Sequence, residues 1–175
     1  PPEVVQGLRE LGAFGIKIPE EYGGLGLSQT SYTHAIGLVT SVDGSLTALL
    51  SAAQSIGVPQ PLKLFGTPEQ KKKYLPRLAK GSISAFALTE SNVGSDPAVM
   101  GTTAVLSDDG SHWVLNGEKL WCTNGTVAEL MVVMARTGRT SGAGASTVRW
   151  QPDSRQTSAS VPNIVLRDKG PDRRP

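Results

Sequence analysis

Residues 81–96 read GSISAFALTESNVGSD, and the pattern of the chain changes within this stretch. Before Gly81 the apolar residues recur at helical spacing, whereas after it they fall in short runs rich in β-branched and aromatic residues. Residues 83–89 are therefore predicted to be the first strand. The strand runs directly into a polar corner, residues 90–96, which offers hydroxyls, backbone N–H groups and a carboxylate. Since these residues are also common turn formers, the corner is either an ordinary strand end or part of a polar binding site.

The residues before this stretch are predicted to form helices. Residues 4–11 carry one apolar face, and Ser28 and Ser45 are the predicted N-caps of two further helices. The glycine cluster at 20–28, EEYGGLGLS, follows no strand. It is therefore predicted to be a loop between helices and not a phosphate-binding loop.

The clearest helix start lies at residues 67–70. Thr67 can cap the helix, Pro68 suits its first position, and Gln70 can complete a capping box. Pro76 and Gly81 are predicted to mark its end.

After residue 81 the sequence predicts short strands joined by turns. The predicted strands are residues 83–89, 102–106, 112–115, 118–123 and 130–136, with turn signals at 107–110 and 116–117. Helices that precede an antiparallel meander indicate an α+β fold and not βαβ units. We expect a helical domain over residues 1–81, a β domain over 82–138 and an irregular tail over 139–175.

Composition excludes several classes of function. Residues 1–138 hold ten Lys and Arg against twelve Asp and Glu, so the net charge of +2 comes from the tail, where seven basic residues face three acidic ones. The expected partners therefore include no nucleic acid. The chain has no apolar run long enough for a membrane span and no signal-peptide pattern at its start, and its single cysteine, Cys122, has no companion for a disulfide or a zinc site. We expect a soluble intracellular protein without a metal site.

A second polar strand exit occurs at residues 119–125, KLWCTNG. In a strand Trp121 and Thr123 would share one face, so that a flat ligand could stack on the indole while the hydroxyl meets its edge; Cys122 would point the other way. Trp121 taken alone is also compatible with a core aromatic. The two exits together predict a site for a planar heterocycle with polar edges.

Four motifs in order resemble the flavin-dependent acyl-CoA dehydrogenases. They are EEYGGLGLSQTSY, FGTPEQKKKYLPRLAKG, FALTESNVGSD and LNGEKLWCTNG. The sequence around QSIG and FGTPEQKKKYLP resembles the very-long-chain branch of the family. The resemblance covers roughly residues 7–137. It implies an N-terminal all-helical domain, here followed by an incomplete antiparallel β-barrel domain, with the family's C-terminal four-helix domain absent.

The resemblance also implies which residues meet FAD. The cofactor-binding set is Phe86, Ala87, Leu88, Thr89, Gly94, Ser95, Trp121, Cys122 and Thr123. Leu88 and Thr89 would face the pyrimidine side of the isoalloxazine ring, Trp121 would lie against the ring, and Thr123 would hydrogen-bond near N5. Ser95 would contact both the cofactor and the acyl-CoA substrate.

The family's catalytic glutamate lies in the C-terminal domain, so we assign no catalytic residue here and expect this chain to be inactive alone. Glu90 and Asp96 are interpreted as structural or capping carboxylates. Expected partners of the parent are acyl-CoA, electron-transferring flavoprotein and further copies of itself. The expected location is the bacterial cytoplasm, or the mitochondrial matrix in a eukaryote.

Two alternatives stay open at the level of sequence. The chain could be a non-catalytic remnant that acts as an interaction module, or a flavin oxidase or monooxygenase of the same fold. The tail at 139–175 matches none of the family motifs, as out-of-frame translation would produce; a degraded tail or a true linker would look similar.

Overall fold

The computed structural model describes residues 1–109 and 112–137, together with the backbone of residues 145–150 and 164–166. The chain divides into two compact units. The first consists of Pro1–Phe86 and Thr123–Leu130, and the second of Ala87–Cys122 and Met131–Pro175. The α-helices lie in the first unit and most of the strand residues in the second, which confirms the α+β expectation. No helix in the described part of the chain has the length and apolar character needed to cross a membrane.

The first unit contains five α-helices, of which the second, third and fifth begin at side-chain caps. They are α1 (Pro2–Glu10), α2 (Gln29–Thr40), α3 (Gly44–Ser51), α4 (Pro59–Phe65) and α5 (Pro68–Ala79). Ser28 caps α2 by accepting from the Ser31 N–H, and Thr67 forms the predicted capping box with Gln70, so both predictions are confirmed.

Two predicted helix boundaries are wrong. Asp43, not Ser45, caps α3, because its carboxylate accepts the Ser45 N–H at 2.6 Å, and Ser45 is the second residue of the helix. Pro76 lies inside α5, which continues to Ala79. The neighbouring Leu75 and Leu78 are almost fully buried, and this packing offsets the backbone hydrogen bond that proline cannot donate.

The core of the first unit centres on α1, α3 and the π-helical turn Ala52–Ile56. Its buried members are Leu8, Phe14, Leu50, Ala53 and Ile83. Ser84 is fully buried beside this core, where its hydroxyl donates to the Ala53 carbonyl at 2.8 Å and accepts the Val58 N–H at 3.1 Å. The start of the first strand is thereby fixed to the helices within this unit.

The strands are β1 (Ser84–Ala87), β2 (Thr103–Leu106), β3 (Trp113–Asn116), β4 (Leu130–Arg136), β5 (Ala145–Trp150) and β6 (Ile164–Leu166). Their order is β1-β4-β2-β3-β6, and β5 also pairs with β4. The pairings β2–β3, β3–β6 and β4–β5 are antiparallel, but β2 and β4 run parallel, so the sheet is mixed and the prediction of a purely antiparallel sheet is wrong. The parallel contact is brief, with one residue pair in register.

The structure differs from the expected strand list in two places. Residues 118–123 are not a strand, for a reason given below. Strands β5 and β6 lie within the tail that we expected to be irregular. The β5 segment carries Thr, Val and Trp, which favour strands, and the edge of β4 supplies its partner. The other residues of that tail lie outside the described part of the chain.

Candidate functional site

The first polar segment, residues 87–96, leaves β1 and folds into a tight turn. Glu90 and Val93 exchange backbone hydrogen bonds of 3.0 and 3.2 Å, which reverses the chain directly after Thr89. Asp96 then accepts the Ala98 N–H at 2.9 Å and caps a short 3₁₀ helix, Pro97–Val99. Asp96 therefore has the capping role that the sequence predicted.

The second polar segment, residues 119–122, has an irregular backbone. Trp121 has φ of +56° and Asn124, just beyond the segment, has φ of +67°. Left-handed residues break the two-residue alternation of a strand, so the argument that Trp121 and Thr123 share a strand face does not hold. Trp121 is 86% exposed, which excludes the core-aromatic interpretation for this structure.

The two polar segments lie side by side within the second unit. The Leu120 N–H donates to the Thr89 carbonyl at 2.8 Å, and the Lys119 ammonium donates to the Leu88 carbonyl at 2.9 Å. The exposed indole of Trp121 is therefore only one residue from a backbone bond to Thr89. The two polar segments that the sequence singled out are therefore neighbours in the structure.

A buried ion pair joins the same segments. The Glu90 carboxylate lies 2.7 Å from the Lys119 ammonium, and the side chains are only 7% and 10% exposed. The carboxylate also accepts the N–H groups of Gly101 at 2.6 Å and Thr102 at 2.9 Å. Burial alone would raise the pKa of Glu90, but the Lys119 ammonium and the hydrogen bonds from Thr102 and Gly101 outweigh it and lower the pKa to about 2.

Cys122 turns toward the core of the second unit. Its side chain packs against a buried cluster, and its thiol lies 3.7 Å from the Leu120 carbonyl as a weak donor. Burial raises the pKa of the thiol, although the nearby Lys119 charge opposes this. The cluster consists of Ala87, Ala104, Leu115, Val133 and Ala135.

The remaining predicted site residues adjoin the two segments along the chain. Phe86 and Thr123 are the first unit's residues next to Ala87 and Cys122, and Gly94 and Ser95 lie exposed after the tight turn. A Cβ built on Gly94 would meet open space. The structure thus places Leu88, Thr89, Trp121 and Cys122 together, while the positions of Phe86 and Thr123 follow only from chain continuity.

Several donors at the site have no protein partner. None of the hydrogen bonds among the described residues uses the hydroxyl of Thr89, Ser95 or Thr123. The carbonyls of Leu88 and Thr89, in contrast, are occupied by the second segment. Within the second unit, the Thr89 hydroxyl and the exposed Trp121 indole belong to adjacent segments and suit a flat polar ligand such as an isoalloxazine ring, so these groups fit the predicted cofactor.

Two features of the structure were missed at the level of sequence. The Glu90–Lys119 ion pair joins residues 29 apart in the chain, and no local motif signals such a distant contact. A shallow pocket of about 390 Å³ in the first unit is lined by Lys17, Pro19, Glu20, Gly26, Leu27 and Lys63, and none of the predicted site residues lines it.

Among the described residues no group of three or more His, Cys, Asp or Glu could hold a metal ion.

The fold is that of an α+β protein in which two polar segments lie side by side. Residues 1–82 match the model of the acyl-CoA dehydrogenase N-terminal domain, and residues 85–163 match that of the middle domain. The chain belongs to the acyl-CoA dehydrogenase family.

Three relatives show how much of the family the chain represents. It is 62% identical over 142 residues to the probable acyl-CoA dehydrogenase FadE10 of Mycobacterium bovis, covering 81% of this chain and 22% of that protein. It is 48% identical to the human very long-chain specific acyl-CoA dehydrogenase, covering 75% of this chain and 20% of the relative. The structure of an acyl-CoA dehydrogenase complexed with FAD from Bacillus anthracis superimposes with a TM-score of 0.80 at 35% identity, covering 95% of this chain and 30% of that one. The chain thus spans about a fifth of the length of the curated relatives, and the predicted resemblance to the very-long-chain branch is confirmed.

Proposed function

We propose that this chain supplies flavin-facing segments of an FAD-dependent acyl-CoA dehydrogenase whose parent oxidises acyl-CoA to trans-2-enoyl-CoA. The adjacency of the two polar segments carries the proposal, because the Leu120–Thr89 hydrogen bond joins the segment of the exposed Trp121 indole to Thr89, whose hydroxyl makes no hydrogen bond among the described residues. Family membership and the FAD held by the Bacillus anthracis relative support the choice of cofactor.

Each predicted site residue has a role that its chemistry allows. The Thr89 and Thr123 hydroxyls donate to the polar edge of the ring, and the Trp121 indole covers part of the ring surface. Backbone groups of Phe86, Ala87 and Cys122 line the approach, while Ser95, which follows Gly94, contacts cofactor and acyl-CoA. Bound FAD supplies the hydride acceptor, and preorganised donors stabilise the charge that develops there.

No catalytic base is assigned in this proposal. Glu90 is held by Lys119 and two backbone N–H groups, and Asp96 is held by the cap of the 3₁₀ helix. A base must reach the substrate proton in a free, deprotonated state. Because both carboxylates are already committed, we expect no turnover by this chain alone in a dye-coupled acyl-CoA oxidation assay. Measurable turnover would overturn that expectation.

The proposed partners follow from the family and not from the described contacts. The substrate is an acyl-CoA, the electron acceptor is electron-transferring flavoprotein, and the parent assembles with copies of itself in the bacterial cytoplasm or mitochondrial matrix. Oxygen consumption by the longer parent separates this proposal from its alternatives. A dehydrogenase should reoxidise its reduced flavin slowly with oxygen, whereas rapid oxygen consumption would favour an oxidase or monooxygenase.

A titration of the chain with FAD, followed by flavin fluorescence, tests cofactor binding. Stacking of a planar heterocycle on an aromatic side chain contributes roughly 1–3 kcal/mol, so Trp121→Ala should raise the Kd for FAD about 5- to 150-fold. Leu38→Ala is the matched control, because Leu38 is a 74% exposed apolar residue on α2 that lies outside the proposed site. Absence of FAD binding, or equal affinity in the two variants, would contradict the proposal.

A further inference from the structure

The Glu90–Lys119 ion pair is unusual in its position. It connects three parts of the chain. Lys119, in the second polar segment, donates to the Leu88 carbonyl and to Glu90 in the first. Glu90 in turn accepts the N–H groups of Gly101 and Thr102, which lead into β2. Both side chains are nearly buried. No role in cofactor contact was assigned to either residue above.

We propose that the Glu90–Lys119 ion pair is a positioning device that holds the two polar segments in the single arrangement that binds FAD. The inference rests on the proposed function, because it concerns the same cofactor. Neither side chain is proposed to touch the cofactor. Both act through the backbone of Leu88, Thr89 and Leu120.

The hydrogen bonds show how the pair could act at a distance. The Lys119 ammonium occupies the Leu88 carbonyl, and the adjacent Leu120 N–H occupies the Thr89 carbonyl. Both carbonyls therefore face the second segment, whereas the Thr89 hydroxyl makes no hydrogen bond among the described residues. The backbone of residues 88–89 is thus committed to one orientation by contacts with residues 119–120.

Glu90 fixes the other side of the same segment. Its two carboxylate oxygens accept one backbone N–H each, from Gly101 and Thr102, which ties the tight turn at 90–93 to the start of β2. Charge-assisted hydrogen bonds in a buried site are directional and strong. Loss of either partner would free the turn and the Trp121 segment to adopt several arrangements.

The expected effect follows from populations. If breaking the pair leaves about one folded molecule in ten with the segments in register, the apparent Kd for FAD rises about tenfold. Lys119→Met removes the ammonium at nearly constant length, and Lys119→Gln keeps one donor but no charge. We expect Lys119→Met to bind FAD at least about tenfold more weakly and Lys119→Gln to fall between it and the unsubstituted chain.

Two controls separate positioning from general stability. Glu118→Gln removes a neighbouring exposed carboxylate for which the described residues show no ion pair, and its FAD affinity should stay unchanged. Leu75→Ala empties a fully buried site in α5 of the first unit, so it should destabilise the chain while its folded fraction keeps its FAD affinity.

The test combines fluorescence titration, visible circular dichroism of bound FAD at saturation, and hydrogen exchange of the free protein. The proposal expects weaker binding, the same induced signal once FAD saturates the chain, because bound FAD selects the one arrangement, and faster exchange of the Gly101, Thr102 and Leu120 amides in Lys119→Met. Equal affinity in Lys119→Met, or exchange of these amides at the unsubstituted rate, would overturn it. If the unsubstituted chain does not bind FAD, the proposed function fails, and this inference fails with it. If the unsubstituted chain binds FAD and Lys119→Met binds it equally well, only this inference fails.

Discussion

Removal of the Lys119 ammonium should destabilise the second unit by an amount that depends on pH. In Lys119→Met the Glu90 carboxylate keeps its two backbone donors but loses its ion-pair partner at 2.7 Å. Breaking a buried pair by removing one partner typically costs about 3–5 kcal/mol. Burial raises the pKa of Glu90, but Lys119 and the hydrogen bonds from Thr102 and Gly101 outweigh it, so that the pKa is about 2 against 4.5 for an ordinary glutamate. Lys119 is the largest of the groups that lower this pKa, so its removal should raise the pKa of Glu90 in the folded chain.

The sign of the pH dependence follows from the direction of this shift. A carboxyl group whose pKa is lower in the folded state contributes stability that is fully present above its ordinary pKa and is lost as the pH falls through the folded value. The stabilisation due to Glu90 is therefore complete above about pH 5 and fades toward pH 2. The difference in unfolding free energy between the unsubstituted chain and Lys119→Met should shrink over the same window.

Urea unfolding at several pH values between 7 and 3 measures this difference, with Lys72→Met as the control because Lys72 is exposed on α5. We expect a loss of about 3 kcal/mol for Lys119→Met at pH 7 and a smaller loss at pH 3. A loss that stays the same at both pH values, or one below about 1 kcal/mol at pH 7, would refute the reasoning.

Three further substitutions or reactions test local parts of the account. A Cβ at Gly57 would overlap the Ser84 hydroxyl and nearby carbonyls, so Gly57→Ala should cost roughly 1–3 kcal/mol in thermal or urea unfolding; unchanged stability would contradict the close packing. Asn124 has a left-handed backbone, and its side-chain amide donates to the carbonyls of Leu49 and Ser84 at 3.0 and 3.2 Å. Asn124→Ala should therefore destabilise the chain by about 1–3 kcal/mol in urea unfolding. Asn124→Gly should destabilise it less, because glycine adopts the left-handed conformation without strain. Because burial raises the pKa of Cys122, alkylation of the native thiol at neutral pH should be much slower than in denaturant, and equal rates would show that the thiol is accessible.

The sequence predicted the features that depend on neighbouring residues. The caps at Ser28 and Thr67 and the strand at Leu130–Arg136 were read correctly, because each rests on a few adjacent side chains. Ser45 was misread because Asp43, an equally good cap, precedes it. Pro76 was misread because the packing of its neighbours, which tolerates it, is a tertiary property.

The sequence located the two polar segments but not their backbone geometry, and the cofactor contacts of their residues stay a prediction. Glu90 was correctly interpreted as structural, since Lys119 and two backbone N–H groups hold it. The left-handed backbone of Trp121, however, is rare for a bulky residue and has no sequence signal, so the strand prediction for residues 118–123 failed. The Glu90–Lys119 contact depends on two turns meeting in space, and a single sequence carries no record of that.

The most direct test of the central claim is a ¹⁵N–¹H NMR titration of this chain with FAD. The account predicts that the largest shifts occur at the Trp121 indole N–H and at the amides of Thr89, Ser95 and Cys122, while the Trp113 indole, packed against the core of the second unit, changes little. Shifts concentrated at the pocket lined by Lys17 and Lys63, or no shifts at the Trp121 indole, would contradict it.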